Sequence, residues 1–277
     1  MKTILYLTDL YYQANGRAYY EEDLYVTSKL KPHFNLLIGH PQQALSNLAC
    51  ADLIVFRNTG PVMRYKQYFN RFVEEVNRSK ILTYNSFDGK ADMRGKGYLL
   101  QLTSEGFPVI PTIDCLEDLA LLGPTGQYIV KLKDGADSIG MKKIGKEDLV
   151  QQKLSNQLVQ PFIDFVYEVS FYYLDGVFQY ALYAPETKKR WDLKYYEAST
   201  TDLAFADQFI NWSKMARGIV RVDACRLNDG SLLLVELEDL NPFLSLDALG
   251  EEKRENFIGQ FIAALNKAML NGVAAEE

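Results

Sequence analysis

The sequence is poor in the residues that most staples and many catalytic sites require. Its three cysteines, Cys50, Cys115 and Cys225, are far apart in 277 residues, and no CxxC spacing occurs. A disulfide framework and a cysteine-based zinc site are therefore excluded, and the cysteines read as small buried hydrophobes in a reducing compartment. With only His33 and His40, a histidine-rich zinc site has no basis and a Ser-His-Asp triad has few candidates. No apolar run reaches the ~18 residues of a membrane helix. Met1-Lys2 leads directly into the strand-like Thr3–Leu7, without the apolar core of a secretory leader. Positive charge is also short: Lys+Arg 30 against Asp+Glu 36 gives a net charge of −6. Such a chain lacks the overall field that non-specific nucleic-acid binding uses. Neither nucleic acid nor a membrane is an expected partner, and the expected location is cytoplasmic.

What remains is ordinary for a soluble globular protein, with 48% hydrophobic and 24% charged residues. The length allows one large domain or two to three small ones. The first ninety residues alternate apolar runs with helical patterns. Strands are expected at Lys2–Thr8, Phe34–Ile38, Asp52–Phe56 and Lys80–Asn85, and helices at Arg17–Lys31, Pro41–Ala49 and Tyr65–Arg78. Tyr65, Phe69, Phe72, Val73 and Val76 form one stripe at helical period. This alternation argues for a parallel sheet covered by helices.

The next segment is mixed. A helix is expected over Arg94–Glu105, closed by Gly106, then a short helix capped by Asp114. Tyr128–Lys133 and Met141–Ile144 read as strands, and Lys146–Leu154 as a short helix. From Gln157 the pattern turns to antiparallel β, with strands at Leu158–Gln160, Glu168–Leu174, Val177–Ala184, Ile219–Leu227 and Ser231–Leu237. Asp175-Gly176 and Asn228-Asp229-Gly230 are hairpin signals, because these residues tolerate the positive φ of tight turns. Asp202–Arg217 and Glu251–Leu270 are amphipathic helices. The fold class is α/β followed by α+β.

Four features carry candidate chemistry. The loop from Lys131 through Lys133, Gly135 and Ser138 to Gly140 can approach a ligand closely, and successive N–H groups there can cradle phosphate oxygens. An ordinary hairpin loop explains the same residues. Glu236 and Glu238 point to one face of a strand, and Asp223 lies across the turn on the preceding strand. Oxygen donors of this kind suit Mg²⁺, and a solvent-facing strand end is the alternative. Leu158–Ile163 followed by Glu168 suits a purine and its ribose, or a buried strand entering a turn. Lys188-Lys189-Arg190 with Lys194 reads as a solvated charge run, unless its loop folds over a site.

In order and spacing, these residues resemble the ATP-grasp superfamily from about residue 50 to residue 245. Gly95-Lys96-Gly97-Tyr98 is similar to the stretch in which a lysine opens a helix, and Tyr128-Ile-Val-Lys131 to the second phosphate lysine before the lid loop. Gln160-Pro161-Phe162-Ile163 resembles the adenine hinge, and Glu168-Val-Ser170 the segment with the ribose-binding acid. Arg221-Val-Asp223 and Glu236-Leu-Glu238-Asp-Leu-Asn241 look like the magnesium-binding elements. The chain is most similar to the glutathione-synthetase-like and cycloserine-ring-forming carboxylate–amine ligases. Departures are Leu132 in place of the usual proline, a lid loop thinned of glycine at Asp137 and Ser138, and Glu238 where asparagine is commoner. Asn241 and Ala198-Ser199 also depart, on the acceptor side.

The resemblance implies an N-terminal α/β domain over 1–90, a small lid over 91–157 and a large antiparallel part over 158–277. It implies an ADP-forming ligase working through an acyl phosphate, with ATP and Mg²⁺ (or Mn²⁺) as cofactors. Its partners are a small acid and an amine, and relatives are often homo-oligomers. Lys96, Lys131, Lys133, Gly135, Ser138 and Gly140 are implied at the phosphates, Gln160–Ile163 at adenine and Glu168 at ribose. Asp223, Glu236 and Glu238 are the implied metal ligands, and Arg190 and Lys131 the implied catalytic cations. Arg57, Arg221 and Asn241 are candidates for the substrate pocket. The same fold also suits a nucleotide-binding protein without ligase activity, or a phosphotransferase.

Overall fold

The structure is a computed structural model that describes residues 1–14, 16–135 and 140–274. The first sheet holds β1 (Thr3–Leu7), β2 (Asn35–Gly39), β3 (Leu53–Phe56) and β4 (Thr83–Tyr84), all parallel in the order β2-β1-β3-β4. Alternation along β1 explains its two covered faces. Ile4 and Tyr6 pack on one side with α1 (Tyr19–Leu30). Leu5 and Leu7 pack on the other with Phe69, Phe72 and Val76 of α2 (Lys66–Arg78). The expected stripe on α2 is thus its buried face.

The middle of the chain departs from the sequence reading. The helix expected over Arg94–Glu105 is α3 (Tyr98–Ser104), shorter at its start because Gly95 adopts a φ of +87°. A side chain there would come within 3.0 Å of Asp134 Oδ1, so the position requires glycine. Asp114 caps no helix. The turn after it, Leu116–Leu122, is 3₁₀ with Cys115 at its cap, and Asp114 instead accepts from Lys133 at 2.7 Å. The helix expected over Lys146–Leu154 is one turn, Lys146–Leu149.

A three-stranded antiparallel sheet follows, with β5 (Gln127–Leu132) between β6 (Lys142–Gly145) and β7 (Gln157–Pro161). Because β7 pairs with β5, this sheet extends beyond residue 157. The five-stranded antiparallel sheet comprises β8 (Tyr167–Leu174), β9 (Val177–Ala184), β10 (Lys194–Tyr196), β11 (Ile219–Arg226) and β12 (Leu232–Glu238), in the order β10-β9-β8-β11-β12. Strand β10 begins at Lys194, the last residue of the charge run, and was not expected. Asp175-Gly176, both at positive φ, form the β8–β9 turn. Between β10 and β11 runs α4 (Thr200–Ser213), opened by a reciprocal Ser199–Asp202 capping box. Finally α5 (Glu251–Ala274) buries Phe257, Phe261 and Leu265 in a core shared by the first and the five-stranded sheets. Burial of each such aromatic contributes about 1.5–3 kcal/mol. Among the described residues no helix is long and apolar enough to cross a membrane.

One polar lock ties the segment before α3 to the end of β12. The Asp239 carboxylate accepts the N–H groups of Ala91 (2.8 Å) and Met93 (2.9 Å), and the Asp92 carboxyl accepts those of Asp239 (2.6 Å) and Leu240 (3.1 Å). Asp239 is fully buried, so its loss strands two donors. Asp239→Ala is expected to lower unfolding stability by about 2–5 kcal/mol, read by urea denaturation.

Candidate active site

The five-stranded sheet is divided by alternation. Val169, Phe171 and Tyr173 of β8, Val220, Val222 and Ala224 of β11, and Leu234 and Leu237 of β12 face a core completed by α3 and α4. The opposite face carries two polar rows in register, Ser170–Asp223–Glu236 and Tyr172–Arg221–Glu238. The register shifts just after Asp223, a bulge that re-aims the strand beside the site.

These rows form the floor of a cavity of about 470 Å³. Its lining brings together Lys96, Lys133, Gly135, Glu168, Arg190, Arg221, Asp223, Glu236, Glu238 and Asn241 from the sequence-derived candidates. Arg221 donates to Asp223 (2.9 Å) and Glu238 (2.6 Å), Ser170 Oγ donates to Asp223 at 2.6 Å, and Lys96 pairs with Glu236. Glu168 accepts from Arg190 Nε at 2.7 Å. Burial, reinforced by Asp223 and Glu236 against the pull of Arg221, pushes the Glu238 carboxyl up to about 8. Burial works to raise Glu236 as well, yet Lys96 and Lys131 together hold it below its usual value.

Other candidates lie outside this lining. Lys131, on β5, is brought down to about 8 by burial and then by the neighbouring Lys96 charge, with Glu236 opposing. Gln160 is buried and its side-chain amide donates to Thr112 Oγ1 at 2.8 Å. Phe162 gives its N–H to the Gln127 carbonyl at 2.9 Å, and its ring receives Lys143 Nζ at 3.3 Å. Pro161, Ile163 and Gly140 likewise do not line the cavity. Ser138 lies outside the described residues. Arg57 does not reach the cavity: it is 1% exposed and donates to the Pro242 carbonyl at 2.6 Å. Its position instead braces the loop after β12. Asn241 donates back to the Arg57 carbonyl (2.9 Å) and to Thr59 Oγ1 (3.1 Å).

The residues fit a hard divalent cation in kind. Such an ion takes one or two carboxylates together with phosphate oxygens, and Asp223 and Glu236 are directly opposed across β11 and β12. Among the described residues, however, no three potential ligands converge on one point. Arg221 and Lys96 occupy the carboxylates instead.

Neither the protein-family models nor the curated proteins match this sequence. Solved structures do. D-cycloserine synthetase DcsG superposes with a TM-score of 0.71 at 19% identity, covering 96% of this chain and 99% of that one. D-alanine–D-alanine ligase from Bacillus anthracis, complexed with ATP, gives 0.68 at 14% identity over 100% of both chains. The ATP-grasp ligase PsnB, complexed with a minimal precursor variant, Mg and ADP, gives 0.64 at 16% identity over 96% and 97%. The fold is that of the ATP-grasp ligases.

Within this ATP-grasp fold, several site-building residues were not singled out from the sequence. Asp92 lines the cavity while holding the end of β12. Glu22 is buried and accepts the N–H groups of Leu244 (2.9 Å) and Leu246 (3.1 Å), fixing the loop beside the carboxylate rows. An acid on the apolar face of a helix was the available signal, but its partners lie more than two hundred residues away. Burial pushes Glu22 up to about 7, although Arg57 opposes the shift. A carboxyl raised in this way favours folding below its ordinary value of 4.5 and loses that advantage as pH climbs through 7. Relative to Glu22→Gln, the wild-type unfolding free energy should fall over that window by on the order of 3 kcal/mol, measured by urea titration at a series of pH values.

Proposed function

We propose that this protein is an ATP- and Mg²⁺-dependent, ADP-forming ligase that joins a carboxylate to an amine. The supporting observation is the single cavity in which Lys96, the Lys133–Gly135 loop, Arg190 and the carboxylate rows meet. In this reading ATP lies between the three-stranded and five-stranded sheets. Clefts of this kind, bounded by separate layers, are favoured ligand sites.

The chemistry follows from a poor leaving group. A free carboxylate does not yield to an amine, because oxide would have to depart. A carboxylate oxygen therefore attacks the γ-phosphorus, ADP leaves, and the acyl phosphate then loses phosphate to the amine. Phosphoryl transfer asks the chain for positioning and charge neutralisation. Lys96 and Lys131 offset the phosphate charge, and Arg190 stabilises the transferring group and the acyl phosphate. Asp223, Glu236 and Glu238 would hold the metal, which supplies further neutralisation when bound. Freed from Asp223 and Glu238, Arg221 becomes available to substrate, beside Asn241. Glu168 takes the ribose. Because the Phe162 N–H is engaged, adenine recognition over Gln160–Ile163 falls to the neighbouring backbone groups. Exclusion of water from the cavity would protect the acyl phosphate from hydrolysis.

Two measurements test this reading. Glu236→Gln is expected to abolish ADP release while retaining the wild-type circular dichroism spectrum. Full activity in that variant would remove the metal-ligand role. A product that joins two substrates with loss of water identifies a ligase, a product that gains phosphate identifies a phosphotransferase, and nucleotide binding without ADP release leaves only a binding protein.

Lys131 provides a pH signature. Phosphate bound beside it favours the charged ammonium, so nucleotide binding takes up a proton wherever the free lysine is partly neutral. At pH 8 the uptake is expected to be roughly half a proton, and above it affinity falls by up to about tenfold per pH unit. Calorimetry with a non-hydrolysable ATP analogue without Mg²⁺, so that Glu238 gives up no proton to a metal, reads this uptake in buffers of different ionisation enthalpy, and Lys131→Met should remove it.

A further inference from the structure

The cavity continues past the carboxylate rows toward the first sheet, and that end is built differently. Its wall is aromatic. Tyr12 and Tyr19 lie 5.0 Å apart between ring centroids, and Tyr19 and Phe243 4.6 Å apart. The Arg17 guanidinium rests 5.5 Å from the Phe243 ring and 5.6 Å from the Trp191 ring. It donates from Nη1 to Ser245 Oγ at 3.2 Å and from Nη2 to the Trp191 carbonyl at 2.5 Å. A guanidinium carries five N–H donors in a fixed fork, so these contacts orient Arg17 and leave donors for a ligand.

Charge sets Arg17 apart from its neighbours. Lys66 meets Asp134 at 3.0 Å, Lys96 meets Glu236, and Lys133 meets Asp114 at 2.7 Å. Arg190 meets Glu168 at 2.7 Å, and Arg221 meets both Asp223 and Glu238. Arg17 is held only by neutral oxygens and ring faces, with no carboxylate partner among the described residues. Arg94, which also lacks one, is an exposed side chain. The Arg17 end is also tied to the rows: Arg221 Nη1 donates at 3.0 Å to the carbonyl of Phe243, under Arg17.

We propose that Arg17 is an anion subsite that receives a carboxylate the reaction does not consume. The substrate class is a short amino acid or dicarboxylic acid, with its other end at the Arg221–Asp223 rows. This rests on the ligase reading for the identity of the reacting end. A guanidinium fork pairs with a carboxylate or a phosphate, and the Trp191 and Phe243 ring faces that flank Arg17 favour the flat carboxylate.

The test is thermal shift in the presence of a non-hydrolysable ATP analogue and Mg²⁺. The probes are alanine, serine, aspartate and glutamate of both hands, malonate and succinate, each against its amide, with inorganic phosphate as a further arm. At least one carboxylate should raise the wild-type melting temperature while its amide does not. Arg17→Gln should lose that shift, weakening apparent affinity at least about tenfold, and Arg17→Lys should keep part of it. The proposal is overturned if no carboxylate shifts the wild type, if an amide acts equally, if the shift survives in Arg17→Gln, or if only phosphate acts. The shift from nucleotide alone reports separately on the ligase reading. Repeating the carboxylate arm without nucleotide keeps the two failures distinguishable.

Discussion

The structure is organised around buried charges crowded on one face of an antiparallel sheet. Asp223, Glu236 and Glu238 share a partly enclosed space with Arg221 and Lys96. Lys131 adds a third positive charge beside Glu236, and burial, reinforced by Asp223 and Glu236, raises the Glu238 carboxyl. Burying such a group is costly unless a cation or a proton arrives. In the proposed function, the polyvalent cation and the nucleotide phosphates enter together, and the pairs seen here are exchanged for contacts with them.

That exchange requires a floor that does not move. Its rigidity comes from the far side of the same strands, where alternate residues are packed against α3 and α4. It also comes from polar locks on the loops. Asp92 and Asp239 fasten the segment that presents Lys96, and Glu22 and Arg57 fasten the loop that presents Asn241 and Phe243. Each lock places a charged group in the interior, yet each satisfies backbone donors or acceptors that a loop would otherwise leave unpaired. Charge is spent on positioning around the site, and the apolar core stabilises the rest.

Much of the fold was legible because period and turn chemistry are local. The stripe on α2, the alternation of β1 and the Asp175-Gly176 turn are each written within a dozen residues. The face shared by Glu236 and Glu238 could be read the same way. What could not be read depends on partners distant in sequence. Arg57 looked like a pocket residue because its charge is visible and its burial is not. Nothing within ten residues of it announces that Pro242 accepts from it. The start of α3 was misread because helical pattern runs through Gly95, whose positive φ answers to the backbone and side chain at Lys133 and Asp134. Strand β10 was missed because a three-residue edge strand carries no period.

The comparison structures sharpen what substrate recognition must depend on. At 14–19% identity the fold persists, so the packing of the sheets tolerates nearly complete replacement of side chains. Under the proposed function, selectivity for the acid and the amine rests on side chains that face the cavity, with Arg221 in the rows and Asn241 and Arg17 beside them. Arg17, Trp191 and Phe243 belong to three separate segments, and they meet only because the stretch between β1 and α1, the loop before β10 and the loop after β12 converge. A site assembled from three segments can change its ligand by substitution in any one of them while the floor of carboxylate rows stays fixed. The Arg17 end is thus where this chain can differ in ligand from proteins of the same fold.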